Sequence, residues 1–342
     1  MGKEDDKAGK DARRKDAIKR QRDESKRINK ALDRAADCIA AIGETRTADE
    51  RLDAAARASE LLSSVWSLPP AQELKFGAGM NLTDVNPGST PGFGEVKADG
   101  ERFIELSSDD LARYQMLMYA NGSRGSKHRI LIVLQGMDAS GKGGIVRHVF
   151  NQGNPMGMHY KGFGKPTEEE LSHNFLWRVE KELPQPGWIS IFDRSHYEDV
   201  VMPHVYGTYP ESVWRPRYER INEFESQLVA DGCTIIKIFL VSSREEQRKH
   251  FLGRLEDPTK YWKFDISDLD ARERWDDYIV AWQEVFERTS TDAAPWYLVP
   301  ADNRWYSRAV VSELLRDAMR RMDQHWPELN VDPDEVRRRL EE

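Results

Sequence analysis

From residue 130 onward, short unbroken runs of apolar residues alternate with stretches whose apolar positions recur every three or four residues. Ile130–Leu134, Trp188–Phe192, Thr234–Val241 and Trp296–Val299 read as buried strands, with Tyr160–Phe163 as a further one. Between them Gly143–Val149, Glu168–Leu183 and a stretch around Tyr218–Val229 read as helices. A strand apolar on both faces must be covered on both faces. The pattern therefore predicts an α/β fold, a parallel sheet with helices on either side. Upstream the rhythm changes. Residues 31–66 are alanine-rich, with Leu32, Ala35, Ala36, Ile39 and Ile42 at helical spacing and a second helix expected over Ala48–Leu62. This helical extension is expected to lie on the core or to offer an oligomerisation surface. Residues 1–30 alternate charges of both signs with almost nothing to bury, which predicts a charged, disordered tail. Pro69-Pro70, Asn86-Pro87-Gly88 and Thr90-Pro91-Gly92 mark an irregular connection. A helix capped by Ser108 and ending near Ala120 is expected to follow. Residues 67–325 then make up the main domain, and 326–342 a charged C-terminal tail.

Composition narrows the function classes. A formal net charge of −8 argues against a surface coated for duplex nucleic acid. It leaves room for a local basic cleft that holds a polyanion. Cys38 and Cys233 have no C-x-x-C spacing, so neither a disulfide framework nor a zinc site is expected. The charged N-terminus lacks the apolar stretch of a signal peptide, and no apolar run is long enough to span a bilayer. The expected setting is the cytoplasm, with no membrane or nucleic-acid partner.

Candidate chemistry begins at Gly136-Met137-Asp138-Ala139-Ser140-Gly141-Lys142-Gly143, a G-x-x-x-x-G-K loop between an apolar strand and a helix. Gly136, Gly141 and Gly143 let backbone N–H groups turn in around phosphate oxygens, the helix N-terminus adds partial positive charge, and Lys142 supplies an ammonium. The residue after the lysine is normally Ser or Thr, whose hydroxyl holds Mg²⁺. Here it is Gly143, which shifts the expected metal role to Asp138, with Ser140 as a lesser candidate. Asp193 ends the strand Ile189–Phe192, the Walker B position at the sheet edge where α/β proteins bind ligands, and is expected to share Mg²⁺ with Asp138. Arg194 follows it as a bidentate phosphate donor. Beyond Thr234–Val241, Arg244 and Arg248 stand at i and i+4 in a segment suited to close as a lid, with Arg254 farther along. The histidines show no ligand spacing. Tyr261, Trp262, Trp275, Tyr278 and Trp282 either stack a base or pack a helix.

Five blocks, GMDASGKGG (136–144), KPTEEELSHNFLWR (165–178), FDRSHYEDV (192–200), FLGRLEDPTKYWKF (251–264) and PWYLVPADNRWYSR (295–308), together resemble the polyphosphate kinase 2 family. The resemblance implies a thymidylate-kinase-like P-loop core with a helical lid, and a homo-oligomer. It also implies a Mg²⁺-dependent, reversible phosphoryl transfer between inorganic polyphosphate and nucleotides. Position by position it places the family's two aspartates on Asp138 and Asp193, the loop lysine on Lys142, the following arginine on Arg194 and the lid arginine on Arg254. SHYEDV and KPTEEEL resemble the subgroup acting on both nucleoside mono- and diphosphates, although many relatives there carry an acidic residue where this chain has Gly143. The alternative is a conventional ATP-dependent nucleotide or small-molecule kinase on the same loop.

Overall fold

A computed structural model describes the backbone of residues 2–45 and 47–342, and side chains from Arg13 onward apart from residue 46. Five parallel strands form one sheet: β1 (Arg129–Gly136), β2 (Met158–Gly162), β3 (Ile189–Asp193), β4 (Cys233–Val241) and β5 (Trp296–Pro300), in the order β2-β3-β1-β4-β5. Alternate residues of each strand feed two cores. Ile130, Ile132 and Leu134 point to one side with Ile189, Ile191, Ile236 and Ile238. Leu131 and Val133 point to the other with Phe192, Ile235 and Phe239.

The first core is covered by helices α1 (Gly2–Glu44), α2 (Ala48–Ser63) and α3 (Lys97–Gly122), with α4 (Lys142–His148) and, late in the chain, α10 (Arg304–Arg320). The second is covered by α5 (Glu198–Tyr206), α6 (Arg217–Ala230) and α9 (Trp275–Thr289). Between β4 and α9 stand α7 (Arg244–Leu255) and α8 (Ser267–Glu273), and α11 (Pro333–Glu341) lies in the C-terminal segment expected to be a charged tail. No described helix is long and apolar enough to cross a membrane.

Three expectations need correction. The charged segment 1–30 is not an unstructured tail within the described residues, because α1 runs from Gly2 through it. Its inner end is fastened by burial: Ile28, Leu32 and Ala35 are core residues, Ser25 Oγ and Asn29 Nδ2 donate to Asp99 at 2.6 and 2.8 Å, and Arg27 reaches the Ser64 and Val65 carbonyls. A helix nucleated by packing propagates at little further cost. Second, α3 begins at Lys97, not Ser108. Ser107 and Ser108 donate to the carbonyls of Ile104 and Glu105, so hydroxyls that look like caps are satisfied inside the helix. Third, the helix expected over Glu168–Leu183 survives only as turns at Glu168–Leu171 and Trp177–Glu180. Asn174 Oδ1 accepts from Leu176 N at 2.9 Å, a local turn that competes with helix continuation.

Candidate active site

β1 is central, so its C-terminal end is flanked by the ends of β3 and β4. Register sets Leu134 opposite Asp193 and Gly136 opposite Leu240. The glycine-rich loop and Asp193 therefore meet at one edge of the sheet. Gly136 has φ 149°, and a Cβ there would stand 2.7 Å from Ser140 Oγ and 2.9 Å from the Leu240 carbonyl oxygen. Gly141, which opens α4, has φ 111°. Both positions require glycine. Ala139 and Arg194 hold left-handed conformations, φ 64° and 63°, that side chains other than glycine seldom adopt. Such strain, of order 1–3 kcal/mol per residue, persists where surrounding structure enforces it and gathers at functional sites.

Lys142 Nζ folds across this loop and donates to the carbonyls of Gly136 at 2.7 Å and Met137 at 3.3 Å. Ser140 Oγ is buried in the loop and has no partner among the described residues. Arg194 Nη2 donates to Asp138 Oδ1 at 2.7 Å, so an arginine joins the two aspartate-bearing elements. Burial alone would lower the Arg194 pKa, but Glu198, Asp138 and Asp193 outweigh it and raise it. Asp193 Oδ2 accepts from the Tyr160 hydroxyl of β2 at 3.3 Å.

The helical segment after β4 reaches back to the loop. Ser243 caps α7, and on that helix Gln247 Nε2 donates to the Asp138 carbonyl at 3.0 Å while its Oε1 accepts from Arg272 Nη1 at 2.9 Å. Arg254 is held by Asp268 at 3.1 Å and by the Lys263 carbonyl at 2.9 Å. The Asp268 carboxyl is pushed up by burial and then by Asp138, with Arg254 opposing. Arg244 and Arg248 do not act as one basic face. Arg248 is committed to Glu245, and Arg244 bonds the Arg272 carbonyl. The aromatic group also splits. Trp282 is core, packed with Phe239 and Trp296, whereas Tyr261 and Trp262 are exposed in the lid segment.

Four further residues become prominent at this edge in three dimensions. Gln247 is one. Glu198, on the first turn of α5, has its pKa raised by burial, against the opposing charges of Arg194 and Lys142. The Gln135 amide fits best with its nitrogen donating to Glu198 Oε1 at 3.2 Å and its oxygen accepting from Ser195. Arg304 and Arg308 project from the first turns of α10, and a Cβ on Gly144 would stand 3.5 Å from Arg308 Nη2. Burial lowers the Arg304 pKa, with Arg254 adding to the effect and Glu246 opposing it; burial and then Arg304 lower that of Arg308. Basic residues at a helix N-terminus oppose the helix dipole, and that anomaly was the available sequence signal. Cations crowded together in this way are suited to an anion.

The donor set also fits a magnesium ion. Among the described residues no three His, Cys, Asp or Glu side chains converge as a closed metal cage. Mg²⁺ instead takes one or two carboxylates and completes its shell with phosphate and water. Asp138 and Asp193, flanking a phosphate loop, offer that. A cleft of about 590 Å³ lined by Asn81, His204, Arg215, Gln283 and neighbours lies elsewhere, beside α9, and is apart from this chemistry.

Comparison with known proteins agrees with the geometry. Residues 98–327 match the family model described as polyphosphate kinase 2. The AMP/ADP-polyphosphate phosphotransferase of Meiothermus ruber is 41% identical over 247 residues, covering 72% of this chain and 91% of that protein. The ADP-polyphosphate phosphotransferase of Rhodopseudomonas palustris is 37% identical over 266 residues, 74% of this chain and 89% of the relative. The crystal structure of polyphosphate kinase 2 from Arthrobacter aurescens TC1 superposes with a TM-score of 0.79 at 43% identity, covering 80% of this chain and 97% of that one.

Proposed function

The chain belongs to the polyphosphate kinase 2 family, and on that premise we propose that it moves a phosphoryl group reversibly between inorganic polyphosphate and nucleoside mono- and diphosphates. The observation that carries this reading is the meeting of the P-loop, Asp138, Asp193 and Arg194 at one sheet edge, bordered by Arg254, Arg304 and Arg308. The range over mono- and diphosphates is supported by the Meiothermus relative, whose name carries both AMP and ADP. The reading includes Mg²⁺ as cofactor, a cytoplasmic setting and a homo-oligomer.

Each group has a chemical task. The loop N–H groups and Lys142 bind phosphate oxygens, and Arg194 is positioned by Asp138 to hold a second phosphate. Asp138 and Asp193 would hold Mg²⁺, which would supply neutralisation of phosphate charge. The acceptor's terminal phosphate oxygen attacks the end phosphorus of polyphosphate, and the P–O bond to the shortened chain breaks. Such transfer needs little covalent help; positioning and electrostatics do most of the work. Gln247 ties the lid helix to the loop backbone. Gln247→Leu keeps the bulk but removes both bonds, and steady-state kinetics should show kcat/KM falling roughly tenfold. An unchanged kcat/KM would separate the lid contact from catalysis.

The donor is the discriminating test. Purified protein with Mg²⁺, polyphosphate and either ADP or AMP, and no nucleoside triphosphate, is expected to form ATP from ADP, and ADP followed by ATP from AMP. The apparent affinity for long polyphosphate should fall more steeply with salt than that for ADP, since it rests on many screened contacts. If no ATP forms while added ATP phosphorylates another acceptor, the conventional kinase takes its place.

A further inference from the structure

The outer half of α1 is unexplained by the catalytic core. It precedes the family match, which starts at residue 98. Its direction follows from its contacts. Ser25 and Asn29 bond Asp99, and farther along Asp33 pairs with Arg102 at 2.7 Å, so α1 and α3 run parallel. The C-terminus of α3 lies at the starts of the strands, where Gly122 meets Gly187. Its first turn lies at the opposite, catalytic edge, where Gly100 sits against the indole of Trp305, next to Arg304. Residues preceding Ser25 therefore extend past the catalytic edge, for about 35 Å at 1.5 Å per residue.

One stretch of this projecting segment is strongly basic on a chain that is acidic overall. Residues 13–22 hold six basic residues (Arg13, Arg14, Lys15, Lys19, Arg20, Arg22) against Asp16 alone, a local excess of +5 on a chain of net −8. All of them are exposed. Lys15, Lys19, Arg22 and Lys26 recur at i, i+4, i+7 and i+11, one continuous stripe along the helix. A helix solvated only for its own sake would balance its charges. Over residues 13–22 this one is basic but for Asp16, and it leaves the body beside the turn that supports Arg304 and Arg308.

We propose that the projecting half of α1 is a docking arm for long-chain polyphosphate, holding the donor by charge outside the site that consumes its end. The inference rests on the proposed donor. A polyanion many times longer than the catalytic cleft must leave it at the sheet edge, where the arm stands, and retention there raises its local concentration between turnovers. A short donor such as tripolyphosphate, fully contained in the cleft, gains nothing.

The test compares the full chain with a variant carrying Lys15→Gln, Lys19→Gln, Arg20→Gln and Arg22→Gln. Gln has nearly the helix propensity of Lys and Arg, so helicity by circular dichroism should be unchanged. Binding of end-labelled long-chain polyphosphate without nucleotide, read by fluorescence anisotropy, should weaken about tenfold in the variant. KM for the long donor should rise in step, while kcat and the KM for tripolyphosphate stay put. Equal long-chain binding by the two proteins overturns the arm, as does an equal loss with tripolyphosphate. So does a variant defect confined to a labelled oligonucleotide or to anionic vesicles. Because binding is read without turnover, a protein that binds polyphosphate through the arm but forms no ATP from it would refute the proposed reaction and leave the arm standing.

Discussion

Asp193→Asn and Asp138→Asn should each lower kcat by ~10²–10³ while leaving the melting temperature close to that of the parent. Each change preserves shape and deletes one negative charge from the pair assigned to Mg²⁺. The two variants should differ in one respect. Asp138 also accepts from Arg194 at 2.7 Å, so its replacement leaves that guanidinium facing a weaker, neutral acceptor. Asp193 faces only the Tyr160 hydroxyl, at 3.3 Å, among its described side-chain contacts. Asp138→Asn should therefore also raise the KM for phosphate-bearing substrates, whereas Asp193→Asn should act mainly on kcat and on the Mg²⁺ concentration needed for half-maximal rate. Steady-state kinetics across a Mg²⁺ titration separates the two. Parental turnover in either variant at limiting Mg²⁺ would show that the carboxylate has no part in holding the metal.

The second large effect concerns stability, behind the same edge. Lys237 of β4 is fully buried and donates to Glu225 at 2.6 Å, the Thr289 carbonyl at 2.7 Å and the Tyr197 hydroxyl at 2.9 Å. Tyr197 donates in turn to Glu225 at 2.8 Å and lies four residues beyond Asp193. Burial alone would raise the Glu225 carboxyl; Lys237 and His196 outweigh it and hold it below its ordinary value. Lys237→Met deletes the cation and strands a buried carboxylate, which typically costs about 3–5 kcal/mol. Adding Glu225→Leu removes the stranded charge, and the double variant should recover much of that loss. Urea denaturation of the single and double variants measures both. If Lys237→Met alone unfolds at the parental midpoint, the buried charge pair does not support the Asp193 turn.

Strand positions were legible in the sequence because a strand covered on both faces must be apolar throughout, and β1, β3, β4 and β5 each fell within a few residues of their expected places. The loop Gly136–Lys142 was legible because backbone geometry at Gly136 and Gly141 admits no side chain. Helix limits were harder to read. Ser108 resembles a cap, but its hydroxyl finds the Glu105 carbonyl within α3. Glu168–Leu183 has helical spacing, but the Asn174 turn interrupts it.

By itself the sequence determined where a phosphate-type loop lies, since such a loop is written in consecutive residues at fixed spacing. Asp138, Lys142 and Asp193 each sit at a fixed distance from a strand end, so local pattern was enough to put them at one edge of the sheet. Tertiary structure alone decided which distant groups share that edge. Gln247 meets the Asp138 carbonyl across 109 positions of chain, and Arg308 reaches Gly144 from the far end of the molecule. It also decided the state of the N-terminal segment. Composition gives residues 1–30 too little to bury, yet Ser25, Ile28 and Asn29 are fastened to a helix some seventy residues away, and a helix anchored at one end carries its charged remainder with it.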